Sequence, residues 1–266
     1  MEKQIKWPWE KVYIINLDTM KHRYKKLVKS LKKNNISKNI KRISGVYGIK
    51  ELPYGKDIES SDNKNLKWTY IEKMNENLKK KGLMHYKIGI KYPYLKPGQI
   101  GHLLSFIKTL KHAQKYNYKS ILILEDDAVI MDNFVNNFKT AYKYVPDNWD
   151  LIYVGLPDIH LRIDKPVKIN KYVCKLNGIK LYNKSTKYKR MKYNTYQNAI
   201  WGTHAIIMNR KCIDIFLDKV LPLKIPSDVL LGRLSTTHKL INSYYLCNNL
   251  IKESSTTFQY STTSDI

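Results

Sequence analysis

Four consecutive apolar residues, Ile121, Leu122, Ile123 and Leu124, run straight into three acids, Glu125, Asp126 and Asp127. A short unbroken apolar run suits a strand buried on both faces, and so a sheet covered by helices on both sides. That requirement steers the chain toward a layered α/β fold. The acids then stand at the strand's C-terminal end, where open α/β sheets bind ligands. Three adjacent carboxylates repel one another unless a cation or a shared proton relieves them. A divalent metal with oxygen ligands, one that also grips a diphosphate, is the cation such a site calls for.

In an extended segment, side chains two apart point to the same face. Glu125 and Asp127 would then share one face and Asp126 the other. The competing reading is an acidic turn in which Asp126 or Asp127 caps a helix. The buried strand directly before the acids favours the metal-holding reading.

The rest of the chain supplies more alternating elements. Val12 to Leu17 is apolar and β-branched, a first strand, with Asp18 or Thr19 placed to cap the next helix. Tyr24, Leu27, Val28 and Leu31 would form that helix's apolar face. Ile40 to Val46 reads as a second strand. Ile100, Leu103, Leu104, Ile107 and Leu110 recur at helical spacing and predict a helix from about 99 to 116. Asp132 is placed to cap a helix carrying Phe134, Phe138 and Ala141. Strands follow over 151–154, near Val173, over 205–208 and over 240–246, with helices over 211–220 and from Asp228. Two lysine-rich excursions, at about 51–96 and 160–195, interrupt the pattern; a helix around 68–78 is expected in the first. With no repeat and no clear linker, residues 1–266 read as a single domain.

Composition narrows the partners. The chain has 266 residues, 48 Lys+Arg and 22 Asp+Glu, for a formal net charge of +26. Such a balance suits nucleic acid or an anionic surface. The lysines, however, are spread along the whole chain rather than gathered in a tail, which favours a solvated coat. With abundant Lys and Asn, the composition matches an AT-rich bacterium or a large DNA virus. The three cysteines, Cys174, Cys212 and Cys247, are far apart and form no CxxC pair, so neither a zinc site nor a disulfide framework is expected. Nothing reads as a signal peptide or as the ~20-residue apolar run of a membrane helix. The expected location is cytoplasmic: a bacterial cytoplasm or, for a virus, the host cytoplasm or virion. A basic face leaves contact with an anionic membrane surface open.

Several blocks, taken in order, resemble glycosyltransferase family 25. This family includes lipopolysaccharide and lipooligosaccharide galactosyltransferases and collagen hydroxylysine galactosyltransferases. Val12 to Asp18 followed by Arg23 is similar to its opening. Pro97 to Ser105 resembles its second block, usually written Gly-Glu-Ile-Gly-Cys-x-x-Ser-His. Ile121 to Asp127 matches its acidic block, and Trp149 to Gly155 and Gly202 to Ala205 match later ones. Pro226-Ser227-Asp228 resembles its late Pro-x-Asp block. This chain departs from the second block at Gln99, His102 and Phe106, which stand in place of Glu, Cys and His.

The resemblance implies a GT-A-like nucleotide-sugar-binding sandwich, with a mixed, mostly parallel central sheet and helices on both faces. It implies transfer of a hexose, galactose or glucose, from a UDP-sugar donor to a hydroxyl of a glycan or hydroxylysine-type acceptor. Mn²⁺ or Mg²⁺ is the implied cofactor. Asp127 and Glu125 are the implied metal ligands, and His204, just before a strand, is a candidate to complete their shell or touch a phosphate. Asn16, Leu17, Arg23 and Asp126 fall on the nucleotide side. Asp228, at a helix start, is the candidate general base for the acceptor hydroxyl, with an ordinary helix cap as its plain alternative. Three other functions share these features: a metal-dependent nuclease or phosphotransferase, a basic nucleic-acid-binding module, and a family member that binds without turnover.

Overall fold

The computed structural model describes residues 7–36, 39–48, 76, 95, 97–155, 167–176, 202–221, 223, 225–248 and 250–254. The first lysine-rich excursion, with the helix expected over 68–78, lies almost wholly outside the described residues, and of the second only 167–176 are described.

The chain opens with β1 (Lys11–Asn16), a 3-10 turn (Asp18–Met20), α1 (Lys21–Lys33) and β2 (Ile40–Ser44). After the first excursion come α2 (Pro97–Lys115), β3 (Ser120–Glu125), β4 (Ala128–Ile130), α3 (Phe134–Tyr142) and β5 (Leu151–Tyr153). Then follow β6 (Val167–Lys168), β7 (Val173–Lys175), β8 (Ala205–Asn209), α4 (Arg210–Lys219), α5 (Ser227–Thr236), β9 (Ser243–Leu246) and β10 (Ile251–Glu253).

Eight strands form one sheet in the order β2-β1-β3-β8-β5-β9-β7-β6. The expected mixed α/β sheet with helices is present, but among the described strands it is not mostly parallel. Its parallel pairings are β2-β1, β1-β3 and β5-β9, while β8 runs antiparallel to both its neighbours and β7 antiparallel to β9 and β6. The reversal of β8 matters for the site. It sets the start of β8 beside the end of β3, with Ala205 paired to Leu124. The residues just before β8 therefore meet the residues ending β3.

Both faces of the sheet are covered, as the apolar run at Ile121 requires. Alternation sends Tyr13, Ile15, Ile121, Ile123, Ile206 and Met208 to one face, against Leu103 and Phe106 of α2, Phe216 of α4 and Leu231 of α5. Val12, Ile14, Leu122, Leu124 and Ile207 go to the other, against Leu27 and Leu31 of α1 and Phe134 and Phe138 of α3. Burying side chains of this size is worth about 1.5–3 kcal/mol each, so these two clusters hold the frame on which the site sits. Gly101 lets α2 come close, since a methyl group there would meet the Val46 carbonyl oxygen at 2.5 Å and the Gly48 amide nitrogen at 2.7 Å.

Two local expectations, both for helix caps, change. Asp132 does not cap α3; Asn133 occupies the cap in a left-handed conformation, φ 56°, with no side-chain cap bond. Asp18 does not cap α1 either, because Arg42 and Ser44 claim its carboxylate. Cys174 and Cys247 are far apart in sequence, yet the β7-β9 pairing brings their sulfurs to 2.7 Å as free thiols.

The small antiparallel pair β4-β10 was not visible in the sequence. It places the late segment 250–254 against the acids: Ser254 N–H donates to the Asp127 carbonyl at 2.8 Å, and Leu250 N–H to the Val154 carbonyl at 3.1 Å. No helix among the described residues is long and apolar enough to cross a membrane.

Candidate functional site

β3 ends at Glu125, and Asp126 and Asp127 form the turn that leads to β4. A turn does not keep the two-residue alternation of a strand, so the three acids part company. Each finds a different environment.

Asp126 turns toward β1. Asn16 Nδ2 donates to its Oδ2 at 2.6 Å, and Arg23 NH1 stands 3.6 Å from its Oδ1. Burial raises the Asp126 pKa, while Asn16 and Arg23 pull against that rise. Asn16, 1% exposed, is itself held on every side-chain polar atom. Its Nδ2 also donates to the Met20 carbonyl at 2.9 Å, its Oδ1 accepts from Arg42 Nε at 2.7 Å, and its carbonyl accepts from Arg42 NH2 at 3.1 Å. Leu17 is buried beneath this corner. The four residues expected on the nucleotide side therefore come together at the ends of β1 and β3.

Glu125 points to the opposite side, toward α2 and α5. Its Oε1 accepts from the Thr203 hydroxyl at 2.7 Å and pairs with His102 Nε2 at 3.2 Å. Burial alone would raise its pKa, but the His102 imidazole and the Thr203 hydroxyl hold the carboxyl well below its usual range. His102 shows the reverse balance: burial disfavours its cation, and Glu125, Asp228 and Asp127 together raise its pKa.

Asp127 lies between them with no such help. Its Oδ1 is buried and makes no hydrogen bond among the described residues. Burial, then the charges of Glu125, Glu253 and Asp126, push its pKa up to about 8 against a small opposing pull from Arg23. A buried carboxylate oxygen without a partner, ringed by three other acids, fits a bound cation. Among the described residues no three His, Cys, Asp or Glu side chains form a ready-made metal cage. The donor set suits an open shell, in which the chain supplies a minority of the oxygens and a ligand or water the rest.

His204 is buried, with Nε2 3.3 Å from the Ile251 carbonyl and Nδ1 lacking a partner among the described residues. Its carbonyl accepts from Glu125 N–H at 3.0 Å. Asp228 is the second residue of α5, whose cap position is Pro226. Its carboxylate accepts from Gly202 N–H at 3.2 Å and from Val229 N–H at 2.7 Å, while burial raises its pKa.

Sequence reasoning did not assign roles to His102, Thr203, Ser227 or Arg42. Thr203 reaches Glu125 because β8 is antiparallel to β3, His102 reaches it from α2 and meets Ser227 through its other nitrogen, and Arg42 reaches Asn16 through the β1-β2 register. Tyr153 packs in the core beneath the site.

The family model for "Glycosyltransferase family 25 (LPS biosynthesis protein)" matches residues 9–231. The chain belongs to glycosyltransferase family 25. That span carries β1 through the first half of α5, so it includes Asn16, the acid turn and Asp228. Membership, with the mixed sheet described above, makes the fold GT-A-like and the protein a glycosyltransferase by family, with a sugar donor and an acceptor.

No curated protein matches the chain. Among solved structures it is similar to A197 from STIV, at 14% identity and a TM-score of 0.38 over 91% of this chain and 82% of that one. It is also similar to mannose-1-phosphate geranyltransferase from Thermus thermophilus, at 13% identity and a TM-score of 0.29, over 54% of this chain and 49% of that one. Likenesses this distant carry nothing about function.

Proposed function

We propose that this family 25 protein is a metal-dependent hexosyltransferase. It moves galactose or glucose from a UDP-sugar to a hydroxyl of a glycan or hydroxylysine-type acceptor. The observation that carries the reading is the buried Oδ1 of Asp127, without a hydrogen-bond partner among the described residues and set among like charges. A buried carboxylate of that kind is costly unless a cation meets it.

Asp127 is the principal metal ligand in this reading. Glu125 lies behind it, with one oxygen already engaged by Thr203 and His102. His204, with its Nδ1 lacking a described partner, is the further candidate. A bound Mn²⁺ or Mg²⁺ would neutralise charge on the departing diphosphate. Asn16 and Arg23 hold Asp126 on the nucleotide side, and the Arg23 guanidinium adds positive charge there. Asp228 takes the proton from the acceptor hydroxyl. Its raised pKa moves it toward the range in which a carboxylate works as a base near neutral pH.

The test is a UDP-release screen across UDP-sugars, with and without Mn²⁺, alongside a melting measurement with UDP and Mn²⁺. The expected result is metal-dependent release from UDP-galactose or UDP-glucose and a raised Tm. No release from any donor together with no shift in Tm would end this reading.

A further inference from the structure

Beside the acid turn, a polar cluster is centred on His102. The ring projects from the second turn of α2 and touches three other parts of the chain. Its Nε2 is 3.2 Å from Glu125 Oε1, at the end of β3, and 3.5 Å from the Thr203 hydroxyl, just before β8. Its Nδ1 is 3.0 Å from the Ser227 hydroxyl, at the first residue of α5. Ser227 is 1% exposed and Thr203 3% exposed, so water contributes little to either contact. The next residue after Ser227 is Asp228.

A second link runs in parallel. Gly202 and Thr203 are consecutive. Gly202 N–H holds the Asp228 carboxylate, and the Thr203 hydroxyl holds that of Glu125. The two acids are thus tied to neighbouring residues of one segment, and the His102 ring braces the same two parts of the chain from the α2 side. Both nitrogens of the ring are used, so its orientation is determined. Phe106, one helical turn further on, stacks on it with ring centroids 6.2 Å apart.

We infer that His102 is a positioning residue, which sets the start of α5, and with it Asp228, against Glu125 at the end of β3. This rests on the reading of Asp228 as the base for the acceptor hydroxyl. The geometry also explains why His can stand in a block usually carrying Cys: a thiol has neither the reach nor the two opposed nitrogens to join Glu125 to Ser227. The nucleotide-side contacts of Asn16, Arg23 and Asp126 are made by other residues. Loss of His102 therefore alters the chemical step and leaves donor binding in place.

The test uses the full chain and two kinds of measurement. In turnover with the UDP-sugar and Mn²⁺, His102→Ala should lower kcat about 100-fold, the loss expected for a misplaced catalytic group. KM for the donor and the calorimetric affinity for UDP should stay within about threefold of wild type. His102→Gln, which keeps a donor toward Glu125, should raise kcat at least about tenfold above that of His102→Ala. An unchanged kcat, or a parallel loss of kcat and UDP affinity, would overturn the inference.

The second measurement needs no donor sugar. A double-mutant cycle of His102→Ala with Ser227→Ala in urea denaturation should be non-additive, because both remove one contact. Additive effects would show that the ring does not join the two elements. This arm stands even if wild type releases no UDP, a result that would end the glycosyl-transfer reading alone. Should His102→Ala fail to fold, His102→Asn and His102→Gln make the same comparison, one keeping the reach to Ser227 and the other the reach to Glu125.

Discussion

Asn16 Nδ2 donates to Asp126 Oδ2 over 2.6 Å, joining the end of β1 to the turn that follows β3. The Asn16 amide has no freedom to flip, because Arg42 Nε donates to its Oδ1 at 2.7 Å. Asn16→Ala would leave the Asp126 carboxylate and the Arg42 guanidinium each short of a buried partner. The expected cost is about 1–3 kcal/mol of stability, the usual range for stranding a buried polar group. Urea denaturation of the variant against wild type measures it.

The buried Asp127 carboxylate, whose Oδ1 has no hydrogen-bond partner among the described residues, has a pH signature. Its folded pKa is raised to about 8 from an ordinary 3.8. Between those values the folded chain holds a proton that the unfolded chain has released, so this group makes metal-free stability fall as pH rises. Asp127→Asn removes that penalty. The variant should melt above wild type at about pH 8, by about 2–4 °C for ~1 kcal/mol, with the gap closing toward about pH 4. Mn²⁺ should raise the wild-type Tm more as pH increases and leave the variant unmoved. Scanning fluorimetry across that pH range checks both.

Arg23 stands 3.6 Å from Asp126, partly open to solvent at the edge of the proposed nucleotide side. Arg23→Ala should raise KM for the UDP-sugar roughly tenfold and change kcat little, the pattern for lost ground-state binding. Steady-state kinetics with the preferred donor separates the two.

Gly155 follows β5 at the point where β10 closes over the sheet. A methyl group there would run into the Ile251 carbonyl and come within 2.7 Å of His204 Nε2. Gly155→Ala must therefore displace β10, the strand whose following residue, Ser254, holds the Asp127 carbonyl. A loss of about 1–3 kcal/mol, as for other overpacked interiors, should accompany a fall in activity. Denaturation and UDP release measured on one preparation test the link.

The frame of the protein was legible because its strands are apolar runs and its helices are apolar at period 3.6. Ile121 to Leu124 announced a sheet covered on both faces, and the two packed faces bear that out. The acid triplet was visible as a group, but the division of its members was not. Extending the strand alternation through Asp127 assumed an extended backbone, and β3 stops at Glu125. The partners of Glu125 lie 23 and 78 residues away in sequence. Thr203 arrives because β8 runs antiparallel to β3 and His102 because α2 packs beside the end of β3, and no local pattern specifies either. Ala128 to Ile130 and Ile251 to Glu253 are too short to show a period, so the strand pair that backs the acid turn went unread. Asp132 and Asn133 illustrate a local ambiguity: both suit a helix cap, and the left-handed backbone at Asn133 decided between them.

The central claim is that the acid turn is the working metal site of a glycosyltransferase. The most direct test compares UDP released from UDP-galactose and UDP-glucose by wild type and by Asp127→Asn, each with Mn²⁺ and with a chelator. The account predicts Mn²⁺-dependent release by wild type and a loss of at least about 100-fold in a variant that remains folded, as for removal of a key transition-state contact. Release by Asp127→Asn at the wild-type rate, or wild-type release that persists in chelator, would contradict it.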